Sequence, residues 1–297
     1  MIHSFPRTLL CILALQGALF VGSTPAAPYQ GPGIQSMKLV SDINAIVPGE
    51  TFTIGLLIVP EPEHHTYWKG PGIVGVATSI EWGLPEGFEA GPILWPAPEK
   101  VDMVGIAANG YREATILLTE IEVPETLPNG MYSFHAKVAW MACSTSCNPG
   151  LTEFTFMRPC NPGEFPNPEN PSIKLLLDSF RKEIPPPAPE SWKKKVKLTD
   201  KNTITLTLSI PEMSQELAGS IEFFCDDMQV NSDEPTKLTW IDNPTGTFEL
   251  QFSRPDFAPK APSQFSGVIR NSAGWPSADS HFFEISVPWP EGTFPDE

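Results

Sequence analysis

Two cysteines separated by three small polar residues, Cys143-Ser144-Thr145-Ser146-Cys147, are the part of this 297-residue sequence best placed to do chemistry. They flank a turn between an alternating run that ends at Met141 and another that starts near Leu151. Cysteines at the mouth of a short hairpin can reach the ~5.5–6 Å Cα separation that a disulfide needs. Closing a loop of about five residues yields only about 2 kcal/mol of chain-entropy stabilisation, against about 4.7 kcal/mol for a hundred-residue loop. So small a ring also tends to carry strain and to be easily reduced. The pair is a weak staple and a well-placed two-electron switch. Two other readings stand beside the switch, a passive hairpin disulfide and a metal site. The C-x3-C spacing departs from the usual zinc spacing, and no second ligand pair lies nearby.

Strand parity sharpens the picture. Phe134, Ala136, Val138 and Trp140 share one face, read as the core face, and His135, Lys137, Ala139, Met141 and Cys143 share the other. Cys143 is therefore expected to point away from the core, open to an incoming thiolate. No basic or histidine neighbour that would lower a thiol pKa is visible near the pair. Cys160 and Cys225 are candidate accessory thiols. Cys160 opens a second Cys-Asn-Pro-Gly and could act as a third, resolving thiol, or could join Cys225 to tie two domains together. Coincident turn chemistry explains the repeat as well.

His64 and His65 are adjacent, so on a strand only one could line a given site. A copper-handling reading would use one of them with Met141 and the thiols; a solvated or hydrogen-bonded histidine pair is the plainer reading. Trp68, Trp82, Trp95 and Trp140 read as packing residues. No Ser-His-Asp arrangement, phosphate loop, HExxH or supported carboxylate dyad is present, which leaves hydrolase and nucleotide chemistry without an anchor. No cofactor and no resident metal are expected.

Short strands must position the pair. Thr203 to Ile210 alternates hydroxyl and aliphatic residues without a break, and Thr51 to Val59, Ala114 to Val123, Ser133 to Met141, Glu153 to Met157, Thr247 to Phe252 and His281 to Val287 follow the same period. Turn signals separate them, including Val47-Pro48-Gly49, Pro85-Glu86-Gly87 and Pro128-Asn129-Gly130. With 34 prolines and 22 glycines, the chain reads as all-β, two β-sandwich domains, which the family resemblance given below makes immunoglobulin-like. One helix is predicted, capped by Asn170, with Pro171 in its first turn and Ile173, Leu176, Leu177 and Phe180 on one face. Pro185-Pro186-Pro187-Ala188-Pro189 after it reads as a stiff extended spacer. The expected division is 1–26 signal peptide, 27–165 first sandwich, 166–192 linker helix and proline-rich spacer, and 193–297 second sandwich.

The leader rests on Arg7, the apolar run from Leu9 to about Val21 that contains Cys11, and a cleavage site at Thr24-Pro25-Ala26. Its apolar core is short for a membrane span, and no later segment approaches the roughly 20 residues required. The expected product is a periplasmic or otherwise exported protein with no membrane span after signal cleavage. The net charge of -16 repels phosphate backbones, so no nucleic-acid partner is expected.

Several motifs resemble one family. Val138-Ala139-Trp140-Met141-Ala142-Cys143 through Cys147-Asn148-Pro149-Gly150 is similar to the W-x-x-C-x-x-x-C-x-P-G signature of DsbD-type periplasmic N-terminal domains. His65-Thr66-Tyr67-Trp68-Lys69-Gly70-Pro71-Gly72, Ile80 to Phe88, Gly91 to Pro98 and Gly110-Tyr111 complete the pattern in order, over roughly Gly49 to Phe156. Ile221-Glu222-Phe223-Phe224-Cys225-Asp226-Asp227 resembles a motif in the second β domain of ScsB-like members. The resemblance implies an immunoglobulin-like sandwich whose Cys143–Cys147 pair alternates between disulfide and dithiol. It implies a membrane thiol-electron transporter as donor and periplasmic thioredoxin-like or disulfide-bearing proteins as acceptors. It also implies a cap loop within about Trp95 to Tyr111, with Met103, Tyr111, Tyr67 and Trp68 as candidate shielding residues. The sequence departs from the pattern at His64, where tryptophan is usual, and at Cys225, where proline is usual. The membrane and thioredoxin-like domains of full-length members have no counterpart in it, so the electron donor would be a separate protein.

Overall fold

The structure, a computed structural model, describes residues 28–161, 167–242, 244–259 and 262–290. The expected signal peptide and its cleavage site lie outside these residues. Eleven described strands precede the helix: β1 (Tyr29–Gly31), β2 (Ile34–Ser41), β3 (Thr51–Pro60), β4 (His65–Tyr67), β5 (Ser79–Gly83), β6 (Glu89–Ala90), β7 (Glu99–Met103), β8 (Ile106–Tyr111), β9 (Thr115–Glu122), β10 (Gly130–Cys143) and β11 (Cys147–Cys160). After helix α1 (Pro171–Arg181) come β12 (Lys193–Asp200), β13 (Thr203–Ser209), β14 (Ile221–Cys225), β15 (Lys237–Asp242), β16 (Thr247–Ser253), β17 (Gln264–Asn271) and β18 (Phe282–Pro288).

The fold is all-β and immunoglobulin-like. The first eleven strands form a sheet ordered β1-β2-β3-β9-β6 and a second ordered β11-β10-β4-β8-β7, with β5 paired to β10. Period-two alternation delivers the core between them. Phe52, Ile54, Leu56 and Ile58 of β3 and Phe134, Ala136, Val138 and Trp140 of β10 are all buried. The later strands form sheets β12-β13-β16-β15 and β14-β17-β18. Ile204, Leu206 and Leu208, the aliphatic half of the 203–210 alternation, are fully buried there, as is Ile210 just beyond β13.

Helix α1 starts as its residues dictate. The Asn170 side chain accepts the Ile173 N–H at 3.4 Å, and Pro171 occupies a first-turn position where its missing N–H costs nothing. The helix is no free linker, however. Leu177 is buried against Ile116 and Leu118 of β9, with Ile173, Leu176 and Phe180 around it. The proline run is likewise more than a spacer. Pro186 C=O accepts the Glu284 N–H at 2.8 Å, and Ala188 donates to Glu284 C=O at 2.9 Å. Ala188 carries the only N–H between Pro185 and Pro189, and the chain spends it on β18.

The two sandwiches share buried surface. On β14 and β17, Phe223 and Ile269 enter the second sandwich's own core, while the neighbouring Phe224 and Val268 join the cluster around Trp68, Tyr111 and Trp140.

Candidate redox site

Strands β10 and β11 pair in continuous register from Gly130↔Cys160 to Cys143↔Cys147. The last pair is closed by a disulfide, with Cα atoms 4.2 Å apart. The Ser144 N–H donates to Ser146 C=O at 3.0 Å, tightening the three-residue loop. Three pairs back, the Trp140 indole lies on Gly150, where a Cβ would sit 2.2 Å from the ring. The tryptophan and glycine of the motif are thus a matched pair that lets the hairpin end pack flat.

Two further strands build the surroundings. β4 sets His65 opposite Cys143 and Thr66 opposite Ala142, then pairs with β8 at Thr66↔Tyr111 and Tyr67↔Gly110. A Cβ on Gly110 would lie 2.0 Å from Thr66 C=O, so only glycine permits that approach. β8 returns to β7 through Val104 (φ 53°) and Gly105 (φ 85°). Positive φ at both turn residues is the mirror-image geometry that suits a two-residue hairpin, and a β-branched residue adopts it at a cost.

The β7–β8 hairpin roofs the disulfide. Cys143 packs with Tyr67, Val101 and Ala108, and Val74, Met103, Met141 and Cys147 close the cluster. Cys143 has no exposed surface, whereas Cys147 is half-buried. Cys147 Sγ lies 3.6 Å from Met103 Sδ, a contact between two sulfurs that carry no proton while the disulfide is intact. The expectation that Cys143 faces solvent is therefore corrected. It does leave the Trp140 face, but the opposite face is covered by a hairpin whose approach the local pattern does not encode.

Of the candidate shielding residues, Met103 and Tyr67 meet the sulfurs' cluster. Tyr111 and Trp68 instead belong to the adjoining core cluster, with the Tyr111 hydroxyl donating to Pro96 C=O at 2.7 Å. His65 is the neighbour that the sequence did not reveal. It is buried, with Nε2 3.3 Å from the Tyr67 hydroxyl and its ring edge-on to that tyrosine. Burial, with the nearby Arg112 charge, lowers its pKa below the ordinary imidazole value; burial also pushes Tyr67 up to about 12. His64 reaches the loop between the two cysteines instead, with Nε2 3.2 Å from Ser144 Oγ.

The other two thiols are separate from the pair. Cys160 is at the far end of β11, thirteen residues from Cys147 and hence roughly 40 Å away along the strand, so it cannot resolve a bond at Cys147. It lies in the cluster of Phe52 and Phe134, and burial raises its pKa. Cys225 is buried in the second sandwich with Sγ 3.2 Å from Asp227 Oδ1, and burial holds its pKa well above the ordinary thiol value. Both are free thiols, so the alternative in which Cys160 and Cys225 tie the two domains together is not realised. Among the described residues no group of three His, Cys, Asp or Glu side chains is arranged to hold a metal ion, and no helix is long and apolar enough to cross a membrane.

An immunoglobulin-like sandwich that presents a disulfide at the end of its longest hairpin defines the class of domain. The family model described as "Thiol:disulfide interchange protein DsbD, N-terminal" matches residues 36–159, so this part of the chain is similar to DsbD-type N-terminal domains. Such domains are periplasmic and interact with thioredoxin-like partners. Among solved structures, the fold is similar to the N-terminal periplasmic domain of ScsB from Proteus mirabilis. The TM-score is 0.59 at 15% identity, covering 86% of this chain and 94% of that one. No curated protein matches the sequence.

Proposed function

We propose that this chain is an exported thiol–disulfide relay protein, in which residues 27–165 carry the chemistry and 193–297 form a supporting sandwich. The reading is carried by the asymmetry of the pair: Cys143 is fully covered, whereas Cys147 keeps some exposed surface beside the cap. A partner thiolate attacks Cys147 Sγ, forming a mixed disulfide. The electron pair of the broken S–S bond passes to Cys143 Sγ, which takes up a proton. A second partner thiolate then attacks the partner's sulfur of the mixed disulfide and releases Cys147. Two electrons and two protons have moved from a partner dithiol to this chain. Run in reverse, the same steps reduce an acceptor. The donor is read as a membrane thiol-electron transporter and the acceptor as a thioredoxin-like or disulfide-bearing periplasmic protein.

Equilibration in graded glutathione buffers tests the reading. A midpoint above about -250 mV supports a relay, and one below about -300 mV marks a passive staple. The asymmetry adds a direction. Cys143→Ala, which leaves the more accessible Cys147 as the lone thiol of the pair, traps mixed disulfides at least tenfold more than Cys147→Ala; equal trapping sinks the assignment of Cys147 as the attacked sulfur.

One observation favours a second reading. Met103, Met141, Cys143 and Cys147 gather in one cluster, and such soft sulfur donors suit Cu(I) once the disulfide is reduced. Copper titration of the reduced protein supports copper handling if binding is submicromolar and removes it otherwise.

A further inference from the structure

The cap hairpin is only half held by its own sheet. β4 reaches β8 at Thr66↔Tyr111 and Tyr67↔Gly110, and the turn-proximal half, Ile106 to Ala108, lies beyond it. Met103 and Ile106 close the two-residue turn, so at the next pair Ala107 directs its N–H and C=O away from β7. Both groups are met from the second sandwich. The Ala107 N–H donates to Asp233 Oδ1 at 2.7 Å, and Ser232 Oγ donates to Ala107 C=O at 2.7 Å.

The same short segment grips the rest of the cap's surroundings. Ser232 Oγ accepts the Ile73 N–H at 3.1 Å, and Ser232 C=O accepts from Lys100 Nζ at 3.1 Å. Lys100 also donates to Asn109 Oδ1 at 3.0 Å and lies 5.5 Å from the centre of the Phe224 ring, so one β7 side chain spans both sandwiches. Gly72, at φ 95°, leaves room for Ser232; a Cβ there would stand 2.1 Å from its hydroxyl. Residues 230–233 thus occupy the place of a missing neighbouring strand.

We propose that residues 230–233 are a latch by which the second sandwich holds the cap over Cys143–Cys147 and governs how readily a thiolate reaches Cys147. Ser232 and Asp233 are positioning residues in this device. The inference rests on the exchange reading above. Because the latch restrains the cap in both redox states alike, releasing it speeds attack in either direction and leaves the redox equilibrium in place.

The test is the rate at which dithiothreitol reduces the disulfide in the full chain. Ser232→Ala/Asp233→Ala is expected to react at least fivefold faster than wild type, with an equilibrium constant against glutathione within twofold. Asp233→Asn, which keeps the accepting oxygen, stays within twofold in rate. So does Lys69→Ala, which removes a 2.9 Å bridge to Asp226 elsewhere in the interface. A double variant within twofold of wild type overturns the latch. An equal acceleration by Lys69→Ala overturns it too, by assigning the effect to general loosening. If the double variant does not fold, amide exchange at Ala107 in Asp233→Ala decides: exchange at least tenfold faster supports the latch, and unchanged exchange overturns it. Failure of the exchange reading looks different, as a wild-type disulfide that glutathione buffers cannot reduce at any ratio.

Discussion

Truncating the cap's sulfur tests whether the roof over the pair controls its reactivity. Met103 is largely buried, in the cluster of Cys143 and 3.6 Å from Cys147 Sγ. Fully burying a methionine side chain is worth about 1.5–3 kcal/mol. Most of the Met103 side chain is covered, but alanine retains the Cβ and neighbouring groups close part of the gap, so Met103→Ala removes about 1 kcal/mol from the closed state. At 1.4 kcal/mol per decade, the open fraction rises about fivefold. If attack proceeds through the open cap, reduction by dithiothreitol accelerates by the same factor. Met103→Leu, similar in volume, stays within twofold. The assay is single-turnover reduction under excess thiol, read by alkylation of the freed cysteines. A Met103→Ala rate within twofold of wild type refutes the reasoning, because the cap would then not lie on the path to Cys147.

Three further outcomes follow from the packing. Gly150→Ala drives a methyl group into the Trp140 ring and is expected to cost about 1–3 kcal/mol in urea unfolding; a change under about 0.5 kcal/mol would mean the hairpin end yields freely. Tyr111→Phe leaves the buried Pro96 carbonyl without its donor and is expected to cost about 1–2 kcal/mol by the same measurement. His65 has a folded-state pKa below its ordinary value of 6.5, so the unfolded chain binds the extra proton first on acidification. Its stability contribution is complete above the unfolded pKa and is lost as pH falls from there towards the folded value. Urea midpoints from pH 7 to pH 5 should fall more steeply for wild type than for His65→Gln; parallel slopes would remove His65 as the cause.

What could be read from the sequence was local. The alternation of 203–210, the Asn170 cap and the turn between Cys143 and Cys147 each depend on a few consecutive residues, and each stands in the fold as its chemistry requires. The misses were non-local. The burial of Cys143 depends on β7 and β8, some forty residues earlier, folding across the face to which parity assigned it. His65 opposes Cys143 only because β4 pairs with β10, a register that no hydrophobic period encodes. Cys160 looked like a partner for Cys147 because they share a tetrapeptide, but an extended strand carries them apart. The proline run read as a spacer because its lack of donors suggests isolation, yet its carbonyls still accept, and Pro186 uses that capacity.

The sheet β14-β17-β18 is greasy on both sides, with Phe223 and Ile269 facing inward and Phe224 and Val268 facing the neighbouring sandwich. The two halves are therefore not beads that recombination could shuffle separately. Cutting the chain between them would strip Trp68 and Tyr111 of part of their apolar cover and leave a sticky flank on each fragment. Heat or urea should accordingly melt the whole molecule in one transition, and any lineage that keeps the leading sandwich alone must first have replaced the phenylalanine and valine that now seal its side.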